Sequence, residues 1–142
     1  MILKSLMSNK QLSLVTIAPT ASISDAVQLL SLHDIGALLV SSASKPIEGM
    51  LSERDIVRSL ANADKDTLSL RVEQLMTADV HTCSINSTVA ELMSLMTTKR
   101  IRHVPVLDGE NLRGLVSIGD VVRARLNELE SERQQIQEYI TG

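Results

Sequence analysis

Apolar residues recur along the chain with two periods. Ile23, Ala26, Val27 and Leu30 fall at i, i+3, i+4 and i+7, and so do Val89, Leu92, Met93 and Met96. Each set marks one apolar face of an amphipathic helix. The pattern as a whole predicts a short helix near Ile2–Ser8, a strand near Val15–Ile17, a helix near Ser24–His33, strands near Ala37–Ser41 and Ile47–Leu51, and a helix near Glu53–Ala63. The order then returns: a short helix at Val72–Met76, a strand at His81–Cys83, a helix at Thr88–Lys99, strands at Val104–Leu107 and Leu112–Val116, and a long final helix.

The return is an internal repeat. Thr16 stands to Thr82 as Ile23 to Val89, Ile35 to Ile101 and Val40 to Val106, all at one constant offset. Gly49, Ser52 and Asp55 stand to Gly114, Ser117 and Asp120 at one residue less, the difference falling in the turn before the strand. Upstream, Leu6-Met7-Ser8 resembles Leu75-Met76-Thr77 with three extra residues around Lys10–Ser13, changes that short loops absorb. Each unit therefore reads β-α-β-β-α behind a short leading helix, and the expected class is α/β of the α+β kind. Residues 1–68 form the first repeat and 69–142 the second, joined by the polar Asn62–Ser69 stretch. Neither half is expected to bury a full core alone, so the two should pack face to face.

Both copies carry Gly-h-h-Ser-x-x-Asp, a strand running into a helix start. Such a corner directs backbone N–H groups and the positive end of the helix dipole at a docked group, which suits an anion. The carboxylate would repel bare phosphate but accepts hydrogen bonds from neighbouring hydroxyls, as on a ribose, so a nucleotide fits the pair better. Ser-x-x-Asp is equally the pattern of a capping box, with Ser52 or Ser117 on the N3 amide and Asp55 or Asp120 reaching back. Both readings stand at this point.

Composition narrows the classes. The 142 residues are 44% hydrophobic and 22% charged, with no Phe or Trp, one Tyr and six Met, so the core must be aliphatic. Stacking on bases is largely denied, and 14 Lys plus Arg against 17 Asp plus Glu, net −3, gives no basic surplus. Nucleic acid is not an expected partner. The single Cys83 has no intrachain disulfide partner, and no segment has the length of a membrane span or the pattern of a signal peptide, so the cytoplasm is the expected compartment and no membrane partner is expected. Gly-x-Ser-x-Gly, P-loop and Gly-x-Gly-x-x-Gly signatures are absent, and His33, His81 and His103 fall in separate elements, so neither catalysis nor a metal is expected.

The doubled Gly-h-h-Ser-x-x-Asp, the Ser-Glu-Arg-Asp-Ile-Val-Arg run at 52–58 and Lys99-Arg100-Ile101-Arg102-His103-Val104-Pro105-Val106 together resemble a tandem pair of CBS domains, a Bateman module. The resemblance covers essentially the whole chain. It implies a pseudo-twofold pair with two clefts between the halves, regulatory binding of an adenosine-containing ligand, and a disc-shaped dimer. Asp55 and Asp120 match the aspartates that hold ribose hydroxyls, with Ser52 and Ser117 beside them. Thr16 and Ile17, and likewise Thr82 and Cys83, match the edge that holds adenine. Lys99, Arg100, Arg102 and His103 match the phosphate region, where the first half has His33, Asp34, Gly36 and Ala37, so the two sites are expected to differ. Without a ligand, Lys99 and Arg100 would simply offset the helix dipole.

Arg54, where the second copy has Gly119, either reaches phosphate or points to solvent, and Pro105 is expected at a strand edge or bulge and in the cleft floor. Cys83 reads as a small buried hydrophobe more than as a reactive thiol. Along the last helix Val122, Leu126, Leu129, Arg133, Ile136 and Ile140 alternate spacings of four and three, a heptad seam interrupted by Arg133. It either folds back on its own core or joins a homodimer.

The expectation is a nonenzymatic sensor of AMP, ADP, ATP, NAD(H) or S-adenosylmethionine, with no catalytic cofactor. It signals to a regulated protein that is a separate chain. The alternatives are a constitutive dimerisation adaptor with a vestigial nucleotide cleft, and a nucleotide-cleaving enzyme.

Overall fold

The computed structural model describes residues 2–9, 14–62 and 66–141. The elements run α1 (Leu3–Asn9), β1 (Thr16–Ile17), α2 (Ile23–His33), β2 (Ala37–Val40), β3 (Gly49–Ser52), α3 (Glu53–Leu60), α4 (Val72–Leu75), β4 (Cys83–Ser84), α5 (Val89–Lys99), β5 (His103–Asp108), β6 (Asn111–Ser117) and α6 (Ile118–Thr141), with a 3-10 turn at Thr67–Ser69. Two three-stranded sheets, β1-β2-β3 and β4-β5-β6, each combine one parallel and one antiparallel pairing. The α+β class and the repeated β-α-β-β-α order are those of the sequence pattern.

Element limits depart from expectation for local reasons. β3 begins at Gly49, not Ile47, because Ser42 closes the preceding turn: its backbone exchanges hydrogen bonds with Lys45, and its Oγ donates to Glu48 Oε1 at 2.7 Å. β4 covers Cys83–Ser84, one residue beyond the predicted end, and pairs with β5 only from Val106 onward. The neighbouring Pro105 has no N–H to extend that ladder, whereas its first-half counterpart Leu39 donates to Val15 O at 3.3 Å. Pro105 thus sits in the central strand, opposite Leu115, and not on an edge; the β5–β6 register shift lies beyond it, between Val106 and Leu107. A central strand tolerates proline there because β4 does not reach it. Helix α3 ends at Leu60, and the predicted Ala63 terminus lies outside the described residues.

The chain forms two compact units, Leu14–His81 and Thr82–Gly142 with Met1–Ser13. These do not follow the repeat boundary near residue 68, because the leading helices are exchanged. Helix α1 of the first repeat docks on the second: Leu3 N donates to Ser87 O and Lys4 N to Ile85 O, both at 2.8 Å. Helix α4 of the second repeat docks on the first in the same way, Val72 N to Ala21 O at 2.8 Å and Glu73 N to Pro19 O at 3.0 Å. Leu3 and Val72, equivalent in the repeat, are both 0% exposed and each enters the core on which it docks.

Each core is aliphatic. In the first unit Ile23, Ala26 and Leu30 of α2 lie against Leu38, Val40 and Leu51 of the sheet. In the second, Val89, Leu92 and Met96 of α5 lie against Val104, Val106 and Val116, with Val121 and Ala124 of α6. The helices start at side-chain caps, Ser22 on Asp25 N and Thr88 on Glu91 N, both 3.0 Å. A buried hydroxyl pair, Ser59 Oγ and Thr67 Oγ1 at 2.8 Å, ties the 3-10 turn to α3.

After α4 the chain lays Thr77 against Met50, each amide donating to the other's carbonyl at 2.9 Å, so that β3 gains an outer neighbour. Gly49 permits this approach: a Cβ there would stand 2.7 Å from both Thr77 O and Met76 Sδ.

Candidate functional site

In each unit the Ser-x-x-Asp motif sits where the last strand passes into a helix. At the β3–α3 corner Ser52 N and Ser52 Oγ both donate to Asp55 Oδ2, at 2.9 and 3.0 Å, and Asp55 N donates to Ser52 Oγ at 3.3 Å. Glu53 N is taken by Gly36 O at 2.9 Å. The β6–α6 corner repeats every bond: Ser117 N and Oγ to Asp120 Oδ2 at 3.0 and 2.9 Å, Asp120 N to Ser117 Oγ at 3.2 Å, and Ile118 N to Arg102 O at 2.8 Å.

The capping reading is therefore realised in both copies, and it corrects one expectation. The corner is not an open row of amides, since three consecutive-turn N–H groups are spent internally. Capping consumes only one oxygen of each carboxylate, however. Among the described residues Asp55 Oδ1 accepts no hydrogen bond. It remains an acceptor on a half-buried residue, suited to a vicinal hydroxyl pair.

The second corner differs in a way the sequence reading did not include. Arg123 Nη2 donates to Asp120 Oδ1 at 2.8 Å, covering the oxygen that Asp55 leaves open, and Asp120 is itself buried at 9% exposure. A side chain at Gly119 would not prevent this, for a Cβ there would lie 3.7 Å from Arg123 Nη1, an ordinary contact. The first copy has Arg54 and Arg58 at these places, two like charges four residues apart on one helix face, which disfavours both leaning over one carboxylate. The signal was present in sequence as an arginine three residues after each aspartate.

Of the other expected residues, those of β1 and β4 lie away from these corners: Thr16 and Ile17 pair with Leu39 and Val40 whereas Ser52 pairs with Ala37, and Cys83 pairs with Val106, three residues along β5 from the partner of Ser117. Within the second unit, His103 opens β5 directly opposite Ser117, and the Arg102 carbonyl closes the helix start, while the exposed Arg102 side chain is left to solvent. Lys99 ends α5, and Arg100 caps it in the left-handed conformation, φ 55°, as Asp34 does for α2 at φ 52°; both cationic side chains are exposed. Thr82 immediately precedes β4. In the first unit Thr16 is exposed and Ile17 buried on β1, across β2 from β3, and Arg54 is exposed on the first turn of α3. Among the described residues no group of three or more His, Cys, Asp or Glu is placed to hold a metal ion, and no helix is long and apolar enough to cross a membrane.

Cys83 packs at the margin of the second core, 3.7 Å from Pro105 O, and burial pushes its thiol from 9.0 up to about 11. Between those values the unfolded chain loses the proton while the folded chain keeps it, so this residue makes stability fall as pH rises from 9.0 toward 11. Two results are expected: slow alkylation of the native protein by iodoacetamide at pH 8, and a shallower alkaline decline of the urea midpoint in Cys83→Ala. Rapid native labelling at the rate of a free thiol would contradict this placement.

Comparison with known proteins agrees with the repeat. The CBS domain family matches twice, at residues 3–62 and 72–127. The mitochondrial CBS domain-containing protein CBSX3 of Arabidopsis thaliana is 37% identical over 122 residues, 83% of this chain. The chain spans 59% of that relative's length and 32% of that of a 33.4 kDa protein of Thermofilum pendens. Among solved structures, a CBS-domain containing protein of Agrobacterium tumefaciens superimposes with a TM-score of 0.82 at 41% identity, covering 87% of this chain and 92% of its own. The CBS domain pair of protein MJ0100, solved with 5-methylthioadenosine and S-adenosyl-L-methionine, gives 0.76 at 25% identity over 90% of this chain and 98% of its own. Two matched segments, each folded as β-α-β-β-α with its Ser-x-x-Asp corner, make this chain a member of the CBS-domain family that carries the domain twice in tandem.

Proposed function

We propose that this CBS pair is a nonenzymatic regulatory module that binds an adenosine-containing ligand, AMP, ADP, ATP, NAD(H) or S-adenosylmethionine, and signals its presence to a partner protein. The observation that carries the reading is the division of labour on Asp55: one carboxylate oxygen fixes the helix start and the other is left as an acceptor. In this reading Asp55 and Asp120 take the ribose hydroxyls beside Ser52 and Ser117. Thr16 and Ile17, and likewise Thr82 and Cys83, take the base; Lys99, Arg100, Arg102 and His103, with Pro105 in the same strand as His103, take phosphate in the second unit, and Arg54 takes it in the first. The MJ0100 pair, with its adenosine-bearing ligands, supports the ligand class.

The two corners are then unequal. A ribose reaches Asp55 directly but must displace Arg123 from Asp120, so the first corner is the stronger site. The adaptor reading draws on the same Arg123 contact, which leaves one corner closed in the absence of ligand.

Isothermal titration of nucleotide-free protein with the five ligands decides between them. Asp55→Asn keeps an oxygen for the cap but turns the second acceptor into an amide donor, and is expected to weaken the best ligand by about 10- to 100-fold, the scale of one or two charge-assisted hydrogen bonds. Arg123→Gln is expected to strengthen binding at the second corner. Weaker binding in Arg123→Gln would instead make this arginine a ligand contact. No heat from any ligand with folded protein would remove the sensor and leave the adaptor. Turnover of a bound nucleotide would reveal an enzyme.

A further inference from the structure

Helix α6 is 24 residues long, yet among its described residues the buried ones are Asp120, Val121 and Ala124, all in its first two turns. From Leu129 through Ile140 every residue is exposed. A helical segment of that length without tertiary contacts is marginal in water. Its exposed aliphatic side chains from Val122 onward share one face: Val122, Leu126, Leu129, Ile136 and Ile140 are 40%, 59%, 45%, 60% and 74% exposed and, with Arg133 between Leu129 and Ile136, form one stripe at alternating spacings of four and three. The sequence allowed this helix to fold back on its own core, and beyond its first turns it does not.

We infer that this stripe is the seam of an antiparallel two-helix pairing with a second copy of the chain. The orientation follows from Arg133, the one charged residue in the seam. A parallel pairing in register stacks each residue on itself and sets Arg133 against Arg133, two like charges in a desolvated layer. An antiparallel pairing about a twofold axis at Ser131 instead matches Val122 with Ile140, Leu126 with Ile136 and Leu129 with Arg133 of the second copy. Every apolar position then meets an apolar one except at the Arg133 layer. There the arginine stem lies on leucine, and its guanidinium emerges beside Glu130 and Glu132, which flank the seam on its two sides. Opposite charges thus meet where like charges would have met, and the mismatch in the seam selects the orientation. This pairing stands independently of the nucleotide reading.

The test uses the full chain in a Cys83→Ala background. Sedimentation velocity is expected to show concentration-dependent dimerisation that Arg133→Glu weakens and Arg133→Leu tightens, each by about tenfold, the scale of a few charge contacts across an interface. Mixed Leu129→Cys and Arg133→Cys chains are expected to cross-link to each other under mild oxidation, and neither variant alone to do so at a comparable rate. Because both positions are exposed, these substitutions leave the fold intact, and circular dichroism checks it. A monomer at all concentrations, a dimer indifferent to Arg133→Glu, or efficient self-cross-linking of Leu129→Cys would overturn the proposal.

Discussion

Leu3→Ala is expected to lower the free energy of unfolding by about 3 kcal/mol, in the range of large-to-small substitutions at fully buried leucines. Its damage should appear far along the chain. Leu3 is 0% exposed and sits in the core with Val89, Leu92, Met96 and Val104, because α1 docks on the Ile85–Ser87 segment. Amide exchange should therefore rise across α5 and β5 while α2 and β2, nearer in sequence, keep their protection. Val72→Ala is the mirror experiment: two methyl groups lost from the other core, about 2 kcal/mol, with exchange rising in α2 and β2. Urea midpoints at constant m and peptide-resolved exchange read both. Loosening of α2 by Leu3→Ala, with α5 unchanged, would show that α1 docks on its own repeat.

Gly49→Ala should rival that loss although it adds one methyl group to an extended strand. The new Cβ would stand 2.7 Å from Thr77 O, a backbone atom held by two 2.9 Å hydrogen bonds between Thr77 and Met50. The neighbour cannot swing away as a side-chain tip would, so either the Thr77 pairing opens or β3 shifts. The expected cost is about 2–3 kcal/mol, as for overpacked interiors, after the smaller gain from a stiffer unfolded chain. Gly119→Ala is the control, since its Cβ would meet Ser117 Oγ at 3.6 Å and Arg123 Nη1 at 3.7 Å, ordinary contacts. It should change stability by no more than about 0.5 kcal/mol. Equal thermal midpoints for Gly49→Ala and the parent would exclude the clash.

What the sequence makes legible here is whatever is local and doubled. The apolar faces of α2 and α5, the strand-to-helix corners and the order of elements each depend on residues a few positions apart, and the repeat shows each of them twice. The destinations of α1 and α4 were not legible, because a leading helix presents the same apolar residues whichever body it meets, and only tertiary contacts choose. Pro105 shows the same limit: proline reports a missing N–H, but not that β4 stops short of it in the central strand. At the corner, Ser-x-x-Asp supported capping and ligand binding alike. The geometry allows both, since each task needs a different oxygen of the carboxylate. Arg123 escaped because an arginine stands three residues after the aspartate in both copies, and the sequence does not say that the one beside Asp120 turns back onto its carboxylate.

The exchanged leading helices also bear on how such a chain assembles. A single repeat severed from its sister would carry a helix whose berth lies on another body and an empty berth of its own. Two severed repeats would have to find one another at ordinary dilution before either core closed. Joined in one polypeptide, the same encounter occurs at the effective concentration set by a short tether, and each core closes only when its sister has supplied a helix. The tandem arrangement is thus a swapped dimer made permanent by covalent linkage, in which neither half can finish folding first.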